Sequence, residues 1–139
     1  MTMTSAERVR TALQCRQPDR VPYCELGIDR ALAQRLMGWG APISQARNLE
    51  ANEYSPAESK ALAAFLGLDN ITYVLRAPVY AHKEPGLDGR LFYGEGLIRS
   101  AADLSMVQLP DPHDDAFYAG ARGLVAQKGD YSAWFVTRI

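Results

Sequence analysis

RQPDRVPYCELGID, residues 16–29, is the stretch that decides the fold of this chain. An N-terminal helix ends within it, because the residue before Pro18 avoids helical backbone angles. Residues 21–26 then form a short run that Gly27 closes, which predicts a first β-strand. Glu25 lies near the carboxyl end of that strand, where α/β barrels carry their active sites.

The sequence on both sides of this stretch predicts helices. TSAE at residues 4–7 has the pattern of a capping box and predicts a helix over residues 5–16. On the other side, Asp29 is placed to cap a second helix over residues 30–37, which Gly38 ends.

Further along, SPAE at residues 55–58 combines a serine cap, a proline in the first turn and a box-completing glutamate. The helix that it opens ends at Gly67. Residues 71–75, ITYVL, predict a second strand that ends at Arg76, and residues 131–139 predict a third.

The intervening segments are less regular. A polar helical segment is predicted at residues 43–53, an extended excursion or hairpin within residues 77–99, and a short helical turn over residues 100–106. A longer helix is predicted to begin at Asp111, with Pro112 in its first turn.

This alternation of helices and strands predicts an α/β fold, namely the N-terminal portion of a (β/α)8 TIM barrel with an N-terminal helix and about three barrel strands. A closed barrel needs roughly 250 residues. The 139 residues are too few, so we expect one incomplete domain over residues 1–139.

Composition narrows the class of protein. Fifteen basic and sixteen acidic residues nearly cancel without clustering, which disfavours nucleic acid as a partner. Apolar residues make up 47% of the chain, yet no uninterrupted run has the roughly 18 that a membrane span requires. The N-terminus has no apolar signal segment. We therefore predict a soluble cytoplasmic protein without a membrane partner.

Two blocks of the sequence carry a family resemblance. The first consists of ERV at residues 7–9, Leu13 and PDRVP at residues 18–22. The second consists of DL at residues 103–104 and LPDP at residues 109–112, followed by an amphipathic helix. Together they resemble the N-terminal part of the uroporphyrinogen decarboxylase family, which includes the decarboxylase of haem synthesis and corrinoid-linked methyltransferases.

The resemblance implies a substrate, either a tetrapyrrole of porphyrin metabolism or a corrinoid-linked methyl group. A carboxy-lyase of this family protonates a pyrrole ring and releases carbon dioxide without a cofactor. A methyltransferase would need zinc and a corrinoid protein as partner, and its zinc ligands lie in the later part of the barrel. We therefore expect no metal or cofactor within this chain.

Two positions depart from the decarboxylase. The arginine-bearing motif after its first strand is replaced here by residues 25–30, and Arg76 stands where its second strand ends in an aspartate beneath the tetrapyrrole. Both departures disfavour uroporphyrinogen itself as the substrate.

Five residues are candidates to contact a ligand, although none is assigned as catalytic: Glu25, Asp29, Arg30, Arg76 and Arg138. Arg76 and Arg138 at neighbouring strand ends would line one rim, and arginine binds carboxylates in bidentate fashion. Ion pairing with Glu25 or Asp29 is the structural alternative. For Glu25 itself, the alternative is a strand-end residue that pairs with Arg30 or caps a neighbouring loop.

Two other classes of function remain open. The chain is either a catalytically inactive fragment that needs the missing strands, or a small α/β binding module related to the family by ancestry only. Exposed strand edges in an incomplete barrel would favour self-association.

Overall fold

The computed structural model describes residues 2–39, 54–76, 78–87 and 91–138. Its elements in chain order are α1 (Ser5–Leu13), α2 (Arg30–Met37), α3 (Pro56–Leu66), β1 (Asn70–Arg76), β2 (Ala81–Pro85), β3 (Leu91–Gly96), a 3-10 helix (Ala101–Met106), α4 (Asp115–Gln127) and β4 (Ser132–Arg138). The segment 43–53, predicted to be helical, lies outside the described residues.

β1 and β4 form a parallel pair, in register from Asn70 opposite Ser132 to Arg76 opposite Arg138. α3 and α4 pack on one face of this pair, with a core that includes Ala63, Leu68, Ile71 and Leu124. Because side chains alternate along a strand, Thr72, Val74 and Arg76 lie on the opposite face. The prediction that the second and third strands lie side by side and parallel is confirmed.

The predicted caps of α1 and α3 are also confirmed. Thr4 and Glu7 form a capping box at the start of α1, and Ser55 and Glu58 form a second one at the start of α3. Gly67 ends α3 with a left-handed φ of 70°, a conformation that glycine adopts without steric cost. Each cap lies within one helical turn, so the local sequence is enough to specify it.

The predicted barrel is wrong. In the part of the chain that the structure describes, the strands form two separate two-stranded sheets, β1 with β4 and β2 with β3. Residues 77–99 do contain the expected hairpin, since β2 and β3 are antiparallel. That hairpin forms its own sheet and adds no strand to the parallel pair.

The predicted first strand, residues 21–26, is wrong as well. These residues lie beside β1, but side chains make most of the bonds between them. The Glu25 amide donates to Asn70 Oδ1 at 2.9 Å, and Asn70 Nδ2 donates to the Glu25 carbonyl at 2.8 Å. Asp69 Oδ2 likewise accepts from the Tyr23 amide. Side-chain atoms thus occupy the place of a backbone ladder.

A charged network ties α1 to the amino end of β1. Asp69 is fully buried and Arg8 is 5% exposed. The Arg8 guanidinium donates to Asp69 Oδ1 at 2.5 Å and to both carboxylate oxygens of Asp19, and Arg20 also pairs with Asp69. The resemblance residues Arg8, Asp19 and Arg20 are therefore structural in this chain.

The network lowers the pKa of both carboxyl groups. Burial alone would raise the pKa of Asp69, but hydrogen bonds from the Tyr23 amide, the Ser5 hydroxyl and Arg8, with the charge of Arg20, hold it below its usual range. A hydrogen bond from Arg8 also lowers the pKa of Asp19, while Asp19 and Asp69 raise the pKa of Arg8. All of these groups are ionised at neutral pH.

None of the described helices combines the length and the apolar character that a bilayer crossing requires.

Candidate functional site

A cleft of about 580 Å³ opens between β1, α3 and residues 25–29. Its volume falls in the range of small-molecule sites, roughly 300–1,000 Å³. Apolar side chains line its interior, among them Ile28, Leu62, Val74 and Val136. Polar and charged groups line the remainder, including Glu25, Asp29, Tyr54, Ser59, Thr72 and Arg76.

Arg76 is the unusual charge of the cleft. Its Nε is buried and has no hydrogen-bond partner in the described part of the chain. No ion pair or hydrogen bond joins its side chain to any residue within the described ranges. The predicted structural alternative, pairing with Glu25 or Asp29, is therefore wrong. Arg76 also lines the cleft, so its guanidinium group is placed beside any ligand that enters there.

Arg138 is placed as predicted at the level of the backbone. It is the register partner of Arg76, so the two arginines stand opposite each other at the carboxyl ends of adjacent parallel strands. Of Arg138 only the backbone is described. Whether it shares a ligand with Arg76 stays a prediction.

Glu25 lies in the wall of the cleft, and its position is set by Asn70. Asn70 is 2% exposed and binds both the amide and the carbonyl of Glu25, while Thr72 Oγ1 also donates to that carbonyl at 3.1 Å. The Glu25 carboxylate itself is exposed and pairs with no described residue. Its backbone is thus held in place while its acceptor oxygens stay open.

Asp29 has the capping role predicted for it. Its carboxylate accepts from the amides of Ala31 at 2.9 Å and Leu32 at 3.3 Å, at the start of α2. The residue lines the cleft, but these bonds direct its Oδ1 to the helix.

Arg30 is not among the lining residues of the cleft, but it contacts residues next to it. It pairs with Glu58 at 2.6 Å rather than with Glu25, so the predicted Glu25 pair is wrong. The hydrogen bond from Arg30 lowers the pKa of Glu58 to about 2. The Arg30 guanidinium also lies 5.0 Å from the ring of Tyr54 and 5.3 Å from that of Trp39, within cation–π range.

Sequence reasoning missed several lining residues. Thr72 and Val74 could have been found, because counting back by twos from Arg76 along a strand gives residues on the same face. Ser59 and Leu62 follow from the helix that Ser55 caps. Tyr54 had no local signal, since its hydroxyl is fixed by a long-range hydrogen bond to the Ile28 carbonyl at 2.7 Å.

The arrangement suits binding of an amphipathic molecule. The apolar interior would take a ring or chain, Arg76 an acidic group, and Glu25 a hydrogen-bond donor. His82 lies on β2 and is exposed, away from this cleft. Among the described residues, no group of three or more His, Cys, Asp or Glu side chains is arranged to hold a metal ion.

Comparison of the chain with family models, with curated proteins and with solved structures finds no match in any of the three. What the chain does must therefore be inferred from its residues and from the cleft that they form.

Proposed function

We propose that this chain binds a small carboxylated organic molecule in the cleft beside β1, with Arg76 as the residue that receives a carboxylate. The unpartnered, buried Nε of Arg76 supports this most directly. Leaving a buried donor unsatisfied costs about 1–3 kcal/mol. Once the side chain turns Nε toward the cleft, a ligand carboxylate removes that cost, because it can accept from Nε and a terminal nitrogen of the same guanidinium fork.

The Glu25 carboxylate narrows the class of ligand that the cleft can bind. A simple polycarboxylate would be repelled by Glu25, whereas a molecule with both acid groups and N–H donors satisfies Glu25 and Arg76 together. Tetrapyrroles with acidic side chains have both groups on a flat apolar frame. We propose such a tetrapyrrole as the ligand, in agreement with the resemblance to the uroporphyrinogen decarboxylase family.

Charge also separates the two substrates that the resemblance implies. Corrinoids carry mostly neutral amide side chains where porphyrins carry carboxylates. A cationic group without a partner favours the carboxylated ring. We therefore place the porphyrin class ahead of the corrinoid-linked methyl group.

The test is a titration of the full chain with a porphyrin tetracarboxylate, followed by the shift of its main visible absorption band. The corresponding tetraamide is the ligand control. We expect the acid to bind at least ~10-fold more tightly than the amide, because a hydrogen bond to a charged group is worth about 1.5–3 kcal/mol.

Arg76→Gln should remove that preference. Arg99→Gln is the matched control, since it removes the same charge from an exposed arginine on the hairpin side, where Arg99 pairs with Glu95. Equal affinity for acid and amide, or unchanged affinity in Arg76→Gln, would overturn the proposal.

A further inference from the structure

Leu26 differs from the buried apolar side chains of the cleft. Leu62, Leu68 and Ile71 have at most 7% of their surface exposed. Leu26 lines the same cleft, yet it is 59% exposed. A single leucine on an open protein surface needs no explanation. In the wall of a cleft, however, the same side chain can lose its contact with water when a ligand enters.

The segment that carries Leu26 is fixed on its amino side. The Glu25 carbonyl accepts from Asn70 Nδ2 at 2.8 Å and from Thr72 Oγ1 at 3.1 Å. Asn70 is itself 2% exposed, so this anchor belongs to the folded interior. The backbone just before Leu26 therefore has a set position.

The carboxyl side of the same segment is also fixed. The Ile28 carbonyl accepts from the Tyr54 hydroxyl at 2.7 Å. The Ile28 side chain packs against the core that includes Leu68 and Ile71. A hydrogen bond and apolar contacts thus hold the chain on this side.

The two residues between these anchors are much less restrained. Leu26 and Gly27 make no hydrogen bond to any residue within the described ranges. A Cβ atom at Gly27 would meet nothing within 4 Å, so the space beside this backbone is open. Segments with few hydrogen bonds and little packing move at low energetic cost. Such a span can turn its side chain toward the cleft while both anchors stay in place.

We propose that residues 26–27 act as a flap, in which Leu26 folds onto the bound ligand and covers its apolar frame. This inference rests on the proposed function, since it needs a ligand with an apolar surface in the cleft. Burial of the exposed part of the leucine drives the closure. Arg76 then selects the acidic group, whereas Leu26 contributes affinity that does not depend on charge.

The ring current of a porphyrin gives a direct test. The full chain, labelled in its leucine methyl groups, is titrated with the porphyrin tetracarboxylate while methyl NMR spectra are recorded. A methyl group above the face of the ring is shielded, so the Leu26 signals should move upfield as the ligand binds. The signals of Leu87, which is fully exposed beside β2, should stay in place. The spectrum of Leu26→Ala assigns the Leu26 signals.

Leu26→Ala also measures the contribution of the flap to affinity. Because the side chain is largely exposed, the melting temperature should stay the same. Binding of the tetracarboxylate and of the tetraamide should weaken by the same factor, roughly 5-fold, because the variant lacks methyl groups that the ligand would bury. Leu87→Ala is the matched control and should bind as the wild type does.

The outcomes separate this inference from the proposed function. If the acid is preferred in an Arg76-dependent way, but the Leu26 signals do not move or Leu26→Ala binds like the wild type, the flap alone is overturned. If acid and amide bind equally and both are weakened by Leu26→Ala, the flap is supported and the carboxylate site is overturned. Absence of porphyrin binding would overturn both.

Discussion

The two ends of β1 differ in whether their buried charged side chain has hydrogen-bond partners. At its amino end, the buried carboxylate of Asp69 receives bonds from Arg8 and Arg20 and from the Tyr23 amide. At its carboxyl end, the buried Nε of Arg76 has no hydrogen-bond partner among the described residues. Asp69 directly precedes β1 and Arg76 ends it, and both carry buried atoms, so burial by itself does not explain the difference.

The difference indicates a division of roles. A buried charged group whose hydrogen-bonding capacity is fully satisfied makes the fold more rigid. Removing one of its partners lowers the free energy of unfolding. A buried donor left open reduces stability until something binds it. The amino end of β1 thus stabilises the fold, whereas the carboxyl end carries the group to which the proposed function assigns ligand binding.

Asp69→Ala should give the largest effect. It leaves Arg8 buried without one of its two carboxylate partners and removes the bond to the Tyr23 amide. Loss of one partner of a buried pair typically costs about 3–5 kcal/mol. Urea unfolding of the wild type and of Asp69→Ala measures this loss in the free energy of unfolding.

Asp115→Ala is the control for that experiment. Asp115 pairs with Arg122 on the exposed side of α4, and such surface pairs are worth about 0–1 kcal/mol. If both variants lost the same free energy of unfolding, the paired end would have no special structural role.

Acidification should have the second-largest effect on stability, because it protonates the carboxylates that form ion pairs. The pKa values of Asp19 and Asp69 are lowered in the folded chain, and that of Glu58 falls to about 2. A depressed folded pKa gives stability above the unfolded pKa, near 4, that is lost as the pH falls toward the folded value. We expect the free energy of unfolding to drop below about pH 5.

Urea unfolding at a series of pH values from neutral to acidic measures this dependence. Glu58→Gln should make the slope shallower, because it removes one of the groups that take up protons on unfolding. A free energy of unfolding that stays constant, or rises, as the solution is acidified would contradict the pairing described here.

Arg76→Met should have a smaller effect on stability, and of the opposite sign. The variant replaces an unsatisfied buried donor by an apolar chain, so the free energy of unfolding should stay constant or rise by about 1 kcal/mol. The same urea experiment measures it. A loss of stability comparable to that of Asp69→Ala would mean that Arg76 is structural.

Glu25→Gln should have the smallest effect on stability. Its carboxylate is exposed and its backbone bonds to Asn70 are kept, so the melting temperature should not fall. Binding of the porphyrin tetracarboxylate should weaken several-fold, because an amide replaces a charged acceptor. Unchanged binding would remove Glu25 from the site.

The local sequence was enough to predict the helix ends that are fixed by hydrogen bonds within a single turn. The capping boxes at Thr4 and Ser55 and the glycine end of α3 are contained in single turns. The start of α4 was predicted at Asp111, but Asp114 is the cap, since its side chain accepts from the Ala116 amide. Asp111 instead accepts from the His113 amide within a preceding turn. Two aspartates three positions apart compete for one role.

Hydrogen bonds and ion pairs between residues distant in sequence explain the features that the sequence did not predict. Residues 21–26 have the pattern of a strand, but the side chains of Asp69 and Asn70 take up their backbone groups. Arg76 was predicted at a strand end, yet its lack of a partner depends on where other carboxylates go. Asp29 caps α2 and Glu58 pairs with Arg30, and neither choice is visible from the sequence around Arg76.

NMR spectra of the arginine Nε–H groups, recorded while the porphyrin tetracarboxylate is added to the full chain, test the division of roles most directly. We expect the Arg76 signal to shift with ligand concentration and to become protected from exchange with water, while the Arg8 signal stays in place. An Arg76 signal that does not move as the ligand binds, or an Arg8 signal that moves in its stead, would contradict it.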